Sequence, residues 1–273
     1  MSIIYNVIKG VSKLTSSYKL IRPNIYLLDF TIANAFIIFD ESHNWILVDT
    51  GLENSMKFIE EVADKHFEVK PKAIILTHGH FDHIGCIKQL VKKWDIPVYA
   101  HQQEFPYLTG KKDYPKPDPT VDGGLVSKLS PSFPHSSINI SKYLYTLPEN
   151  NSVPYLEDWE WIHTPGHTEG HISLYNNKDK TLIVGDAFTT LKQESFTSVA
   201  TKKEEISGPP AYLTTNWEDA YNSIVKLKNL EPYLALPSHG EAMVGDSLSK
   251  HLDYLIFNFE DKMPKEGRFV ERP

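Results

Sequence analysis

The chain has 273 residues, 41% of them apolar, which is enough for one large domain or two small ones with a real core. Its 35 acidic residues outnumber 28 basic ones, and the formal charge of −7 argues against a protein that coats nucleic acid or anionic membrane. One cysteine, Cys86, excludes an internal disulfide and a cysteine-rich zinc module, so any metal site must draw on the twelve histidines and on oxygen ligands.

The first twenty residues hold short apolar pieces broken by Lys9 and Lys13. No stretch reaches the roughly 18 to 20 apolar residues of a membrane span, so the expectation is a cytoplasmic protein with no membrane or nucleic-acid partner. Residues 25–30, 34–39 and 45–49 are β-rich runs divided by turn formers, which predicts hairpins. Met56, Ile59, Val62, Ala63 and Phe67 recur at helical spacing. The apolar run 73–76 is too short for a helix and reads as a buried strand, leading directly into Thr77-His78-Gly79-His80-Phe81-Asp82-His83. Ile84, Ile87, Leu90, Val91 and Trp94 predict a second amphipathic helix, and 97–100 another short strand.

Residues 101–160 interrupt this rhythm with a proline- and aromatic-rich insertion in an otherwise single domain spanning 1–273. Its aromatic content favours order, as a lid or as a braced surface loop. Strands resume at 172–175 and 181–184 around an Asn-Asn-Lys-Asp turn. A helix is predicted to start near Asn216, with Asp219 as its capping partner, and to carry Ala220, Ile224 and Leu227 on one face. Residues 234–236 form a last strand before Pro237-Ser238-His239-Gly240, and a closing helix carries Leu248, Leu252 and Ile256. Leu76-Thr77-His78-Gly79 and Pro237-Ser238-His239-Gly240 echo one another, each placing a hydroxyl-His-Gly step after an apolar strand.

His78-x-His80-x-Asp82-His83 sets four nitrogen and oxygen ligands within six residues after a buried strand. Zinc takes imidazole and carboxylate, and iron or manganese accepts the same set. Burying such a cluster with no ion to bind would be costly. His167 lies in the Pro-Gly turn of Thr164-Pro165-Gly166-His167-Thr168-Glu169-Gly170-His171. Asp186 and His239 each end an apolar strand, where an α/β site gathers its ligands.

These motifs, with the upstream Leu47-Val48-Asp49-Thr50-Gly51, resemble the metallo-β-lactamase-fold hydrolase superfamily in order and spacing from about residue 20 to 245. The resemblance implies an α/β, four-layer αββα sandwich with a metal site at strand ends. It implies two divalent ions, most simply Zn2+, with Fe or Mn as alternatives. One would be held by His78, His80 and His167, and the other by Asp82, His83 and His239, with Asp186 bridging. Asp49 would orient the ligands from behind. The implied activity is attack by a metal-bridged hydroxide on an ester, lactone or thioester carbonyl of a small substrate, with Asp82 carrying the proton to the leaving group. Two such ions leave the centre locally positive inside an acidic protein, which favours substrates that are anionic or develop an oxyanion.

Departures from the pattern narrow the branch. Resemblance to the true β-lactamases would place a cysteine at Asp186. The Thr-Pro-Gly-His-Thr-x-Gly-His stretch is most similar to glyoxalase II, yet only 34 residues follow His239, too few for that family's helical domain. The quorum-signal lactonases would place a tyrosine where Thr189 stands. Tyr107, Tyr114, Lys192, Lys202 and Tyr212 are candidate substrate-pocket residues, with a braced surface loop as the alternative. His101 and Glu104 stand either near the metals or at a surface helix start. His171 reads as structural, and His43, His66, His135, His163 and His251 as incidental. Two further readings stay open: a mononuclear iron enzyme like the persulfide dioxygenases, and a non-catalytic metal-binding module.

Overall fold

The computed structural model describes residues 3–121, 124–191 and 206–270. It has a mixed α/β architecture with two sheets, and the chain divides into two units. Residues 1–114 and 134–157 make the first, residues 115–133 and 158–273 the second. The 101–160 insertion is therefore shared between the units.

The first unit is built on a seven-stranded sheet in sequence order. Its strands are β1 (Ser17–Arg22), β2 (Ile25–Asp29), β3 (Asn34–Phe39), β4 (Trp45–Val48), β5 (Ile74–Ile75), β6 (Val98–Ala100) and β7 (Leu144–Thr146). β1 to β4 form an antiparallel meander, and β4 to β7 run parallel. Parallel neighbours need crossovers, and helices α2 (Met56–His66) and α3 (Ile87–Trp94) supply the first two. Ile59, Val62 and Ala63 of α2 and Ile87, Leu90 and Val91 of α3 are buried in one apolar cluster with Leu47, Ile74 and Val98 of the sheet. Each fully buried Ile or Leu there stabilises the fold by about 1.5–3 kcal/mol relative to exposure.

An N-terminal helix, α1 (Ile3–Thr15), precedes the sheet. It buries Tyr5 and Ser12, pairs Lys9 with Glu53 at 2.7 Å, and leaves Val7, Val11 and Leu14 exposed.

The second unit has a five-stranded sheet ordered β12-β11-β10-β9-β8. These strands are β8 (Trp159–His163), β9 (Ile172–Asn176), β10 (Thr181–Gly185), β11 (Leu234–Pro237) and β12 (Met243–Val244). β10 and β11 are parallel, joined through helix α4 (Trp217–Lys228), and helix α5 (Gly245–Phe257) follows β12. Asn216 caps α4: its side-chain oxygen accepts from Asp219 N–H at 3.0 Å, and its amide donates to the Asp219 carboxylate at 2.7 Å. α5 buries Leu248, Leu252 and Leu255, with Ile256 half-buried. Residues 115–133 are tied in by Asp118 N–H to the Tyr212 carbonyl (2.8 Å) and by Arg268 to the Lys116 carbonyl (3.1 Å). Among the described residues no helix is long and apolar enough to cross a membrane.

Candidate metal centre

Three parallel strands of the first unit end side by side, and the loops after them carry its polar chemistry, as in open α/β sheets generally. β4 runs into Asp49, β5 into residues 77–83, and β6 into residues 101–104. Asp49 is fully buried with φ +59, and its two oxygens take three donors. Oδ1 accepts Thr77 N–H at 2.8 Å, and Oδ2 accepts the Thr77 hydroxyl at 2.7 Å and His83 Nδ1–H at 2.9 Å. With the proton of His83 held on Nδ1 by a carboxylate, its Nε2 carries the lone pair a metal needs. The same reasoning fixes His78. The single hydroxyl hydrogen of Thr77 goes to Asp49, so in the 3.1 Å contact between Thr77 Oγ1 and His78 Nδ1 the imidazole donates.

The loops after β4 and β5 are zipped together. Thr50 N–H and its hydroxyl both bond the His83 carbonyl (2.7 and 2.9 Å), Gly85 N–H bonds the Gly51 carbonyl (2.9 Å), and Cys86 donates to the Thr50 carbonyl (3.0 Å). Gly85 is required here, because a Cβ would lie 2.3 Å from the backbone carbon of Leu52.

The first turn of the insertion reaches back to the same motif. Gly79, between His78 and His80, donates its N–H at 3.0 Å to Glu104 Oε2 and at 3.0 Å to the Tyr114 hydroxyl, which itself donates to Glu104 Oε2. His101 and Glu104 do stand at a helix start, the 3-10 turn Gln102–Glu104 running into the helix Phe105–Leu108, but the Glu104 side chain is fully buried while Gln102 and Gln103 are exposed. The Tyr114 ring lies against His80, centroids 4.5 Å apart, and stacks on Tyr107 at 3.9 Å and 11°. Burial, reinforced by the Glu104 charge, holds the Tyr114 phenol well above its ordinary pKa, so it stays a neutral donor.

In the second unit the turn 164–171 between β8 and β9 presents His167. Gly166, with φ +127, packs so closely on α4 that a Cβ would sit 2.3 Å from Ala220 N, and its carbonyl accepts from Thr215 and Asn216. The Thr214 hydroxyl donates to the Pro210 carbonyl at 2.8 Å, so at 3.1 Å it accepts from His167 Nδ1, again leaving the lone pair on Nε2. The parallel strands β10 and β11 deliver Asp186 and His239. Asp186 Oδ2 lies 3.3 Å from His167 Nε2 and 3.2 Å from His239 Nε2. His171 is fully buried and structural: its Nδ1 meets the Thr164 carbonyl at 3.0 Å and its Nε2 accepts Asp186 N–H at 2.8 Å. Gly185 leaves room for that ring, since a Cβ there would approach His171 Nε2 to 2.4 Å.

His78, His80, Asp82 and His83 of the first unit, and His167, Asp186 and His239 of the second, are each buried to 5% exposure or less, and each is of a type that can ligate a metal ion. Five imidazoles and two carboxylates, with no thiolate, are a borderline donor set suited to zinc, iron or manganese. Tyr107 is buried against Tyr114, and Tyr212 packs edge-on to Phe133 at 5.8 Å. Lys192 and Lys202 lie outside the described residues. Sequence patterns did not single out Thr214, nor the orienting part taken by Thr77, and their partners lie 47 and 28 positions away.

Comparison with known proteins agrees with this architecture. The family model for the metallo-β-lactamase superfamily matches residues 28–239, and the chain belongs to that superfamily. It is 47% identical over 235 residues to a probable metallo-hydrolase, YflN, of Bacillus subtilis (strain 168), covering 85% of this chain and 89% of that protein. A hydroxyacylglutathione hydrolase, GloC, of Haemophilus influenzae is a more distant relative, 26% identical over 153 residues, with 56% of this chain and 65% of that protein covered. Among solved structures the BLEG-1 B3 metallo-β-lactamase superposes with a TM-score of 0.59 at 24% identity, covering 82% of this chain and 94% of that one, which is a likeness of fold.

Proposed function

We propose that this chain is a dinuclear metal-dependent hydrolase acting on the ester, lactone or thioester carbonyl of a small substrate. Superfamily membership and the metallo-hydrolase relatives support a hydrolase. The observation that carries the two-ion reading is the shared carboxylate oxygen, Asp186 Oδ2, set 3.3 and 3.2 Å from two imidazole nitrogens. The reading assigns His167 and His239 to different ions, and a carboxylate oxygen within reach of both is compatible with a bridge between them.

In this reading His78, His80 and His167 serve one ion, Asp82, His83 and His239 the other, and Asp186 both. When bound, such ions would supply a water acidified to near neutral pH and Lewis-acid polarisation of the carbonyl. The residues of the chain do the rest. Asp49 and Thr77 hold His83 and His78 in the ligating tautomer, and Thr214 does so for His167. Asp82, 5% exposed, would in this reading pass a proton to the leaving group. The locally positive centre favours substrates that are anionic or develop an oxyanion.

The test is metal quantification paired with a panel of esters, lactones and thioesters. Two ions per chain, with turnover that Asp186→Ala abolishes, is the expected result. A single redox-active iron with oxygen uptake, or no turnover of any panel member by the metal-loaded chain, would overturn it.

A further inference from the structure

We propose that Glu104 and Tyr114 are a positioning pair that fixes the backbone between His78 and His80 and so sets the affinity of the one ion these two histidines hold. The inference rests on the two-ion reading above and extends it to residues outside the ligand set.

Glu104 is a carboxylate with zero exposure, and burying a carboxylate is costly unless its oxygens are matched by donors. Here one oxygen takes both the Gly79 N–H and the Tyr114 hydroxyl, while the same N–H also meets the Tyr114 oxygen at 3.0 Å. The three groups close a triangle on the peptide that links the two histidines. Tyr114 then acts a second time, its ring lying 4.5 Å from the His80 ring and backed by the Tyr107 stack. Gly79 completes the fit, because a Cβ there would come within 2.5 Å of the Tyr114 oxygen. The first turn of the insertion is thus a buttress for the ligand loop. His83 is held at its ring by a different group, Asp49, although its N–H bonds the His80 carbonyl at 3.0 Å, so the pair acts most directly on the half of the motif that carries His78 and His80.

Cobalt(II) titration of the metal-free full chain, followed by its visible absorption and by competition with a chelator, reads the two ions separately. Tyr114→Phe keeps the ring and removes the hydroxyl. It is expected to weaken one ion about 10- to 100-fold, the range for supporting groups behind a ligand, and to leave the other within about 2-fold. Glu104→Gln, which keeps an oxygen for Gly79, is expected to recover more of that affinity than Glu104→Leu. Gly79→Ala is expected to weaken the same ion, and adding Tyr114→Phe to relieve the close contact should restore part of the loss.

Equal weakening of both ions, or unchanged affinities in a folded Tyr114→Phe chain, would overturn the pair. Additive losses in the Gly79→Ala and Tyr114→Phe double variant would overturn it as well. A wild-type chain that takes up fewer than two cobalt ions would instead defeat the two-ion reading, and with it the selectivity claimed here.

Discussion

His171 Nε2 accepts the backbone N–H of Asp186 at 2.8 Å, while its Nδ1 meets the carbonyl of Thr164. Both nitrogens are engaged by backbone, so this histidine, four residues after a proposed ligand, holds a ligand's main chain in place. His171→Ala orphans a buried N–H and a buried C=O, each costing on the order of 1–3 kcal/mol. Thermal unfolding should show a marked fall in the midpoint, while the number of ions bound per chain stays as in the wild type. Loss of an ion with stability unchanged would make His171 a ligand.

Asp49→Asn replaces an acceptor of three hydrogen bonds with an amide that has only one oxygen to offer. His83 is then no longer constrained to carry its proton on Nδ1. Metal affinity should fall about 10- to 100-fold with the fold retained, measured by chelator competition alongside circular dichroism. Full affinity in Asp49→Asn would remove Asp49 from the site.

Gly85→Ala puts a methyl group 2.3 Å from the Leu52 backbone, where no flexible side chain can give way. Forced repacking of this kind costs about 1–3 kcal/mol. Because the strained segment bears Asp49 at one end and His83 at the other, denaturant unfolding should show the stability loss and metal titration a weaker site. An unchanged denaturation midpoint would contradict the close packing of these two loops.

His66 lies between two tyrosine hydroxyls, Tyr26 at Nδ1 and Tyr18 at Nε2, both at 3.1 Å. Desolvation, with a smaller part from the Lys65 charge, lowers its pKa below 6.5. A histidine whose folded pKa is depressed binds its proton more readily in the unfolded chain. Its contribution is therefore fully present above the ordinary imidazole value and is lost as pH falls from there through the lower folded value. Melting curves between pH 8 and 5 should show a steeper decline for the wild type than for His66→Gln. Parallel declines would show that His66 takes no part.

Much of this architecture was legible in the sequence because hydrophobic period and turn formers agree along the chain. Residues 34–39, 56–66, 87–94 and 172–176 carry patterns that burial requires, and they form the expected strands and helices. The N-terminal helix was not predicted although Val7, Val11 and Leu14 recur at helical spacing, and the face they make is exposed while Tyr5 and Ser12 are buried. The ligand candidates were visible because they follow apolar strands directly. Of their supports, Asp49 was legible through the family resemblance, whereas the part taken by Glu104 was not, since it meets Gly79 across 25 positions, a distance that only the order of strands in the sheet can close. The predicted start of α4 succeeded for the opposite reason, its cap being a contact three residues long.

Cys86 has zero exposure and donates to the Thr50 carbonyl, and its burial pushes the thiol far above the range in which a thiolate forms. A thiol reagent can reach it only when the loops around Thr50 and His83 come apart. The chain thus carries its own chemical clock: the rate at which Cys86 is labelled measures how often the core beneath the ligand loop opens. The same inertness leaves an introduced surface cysteine as the sole fast-reacting position, a clean point of attachment for a spectroscopic probe.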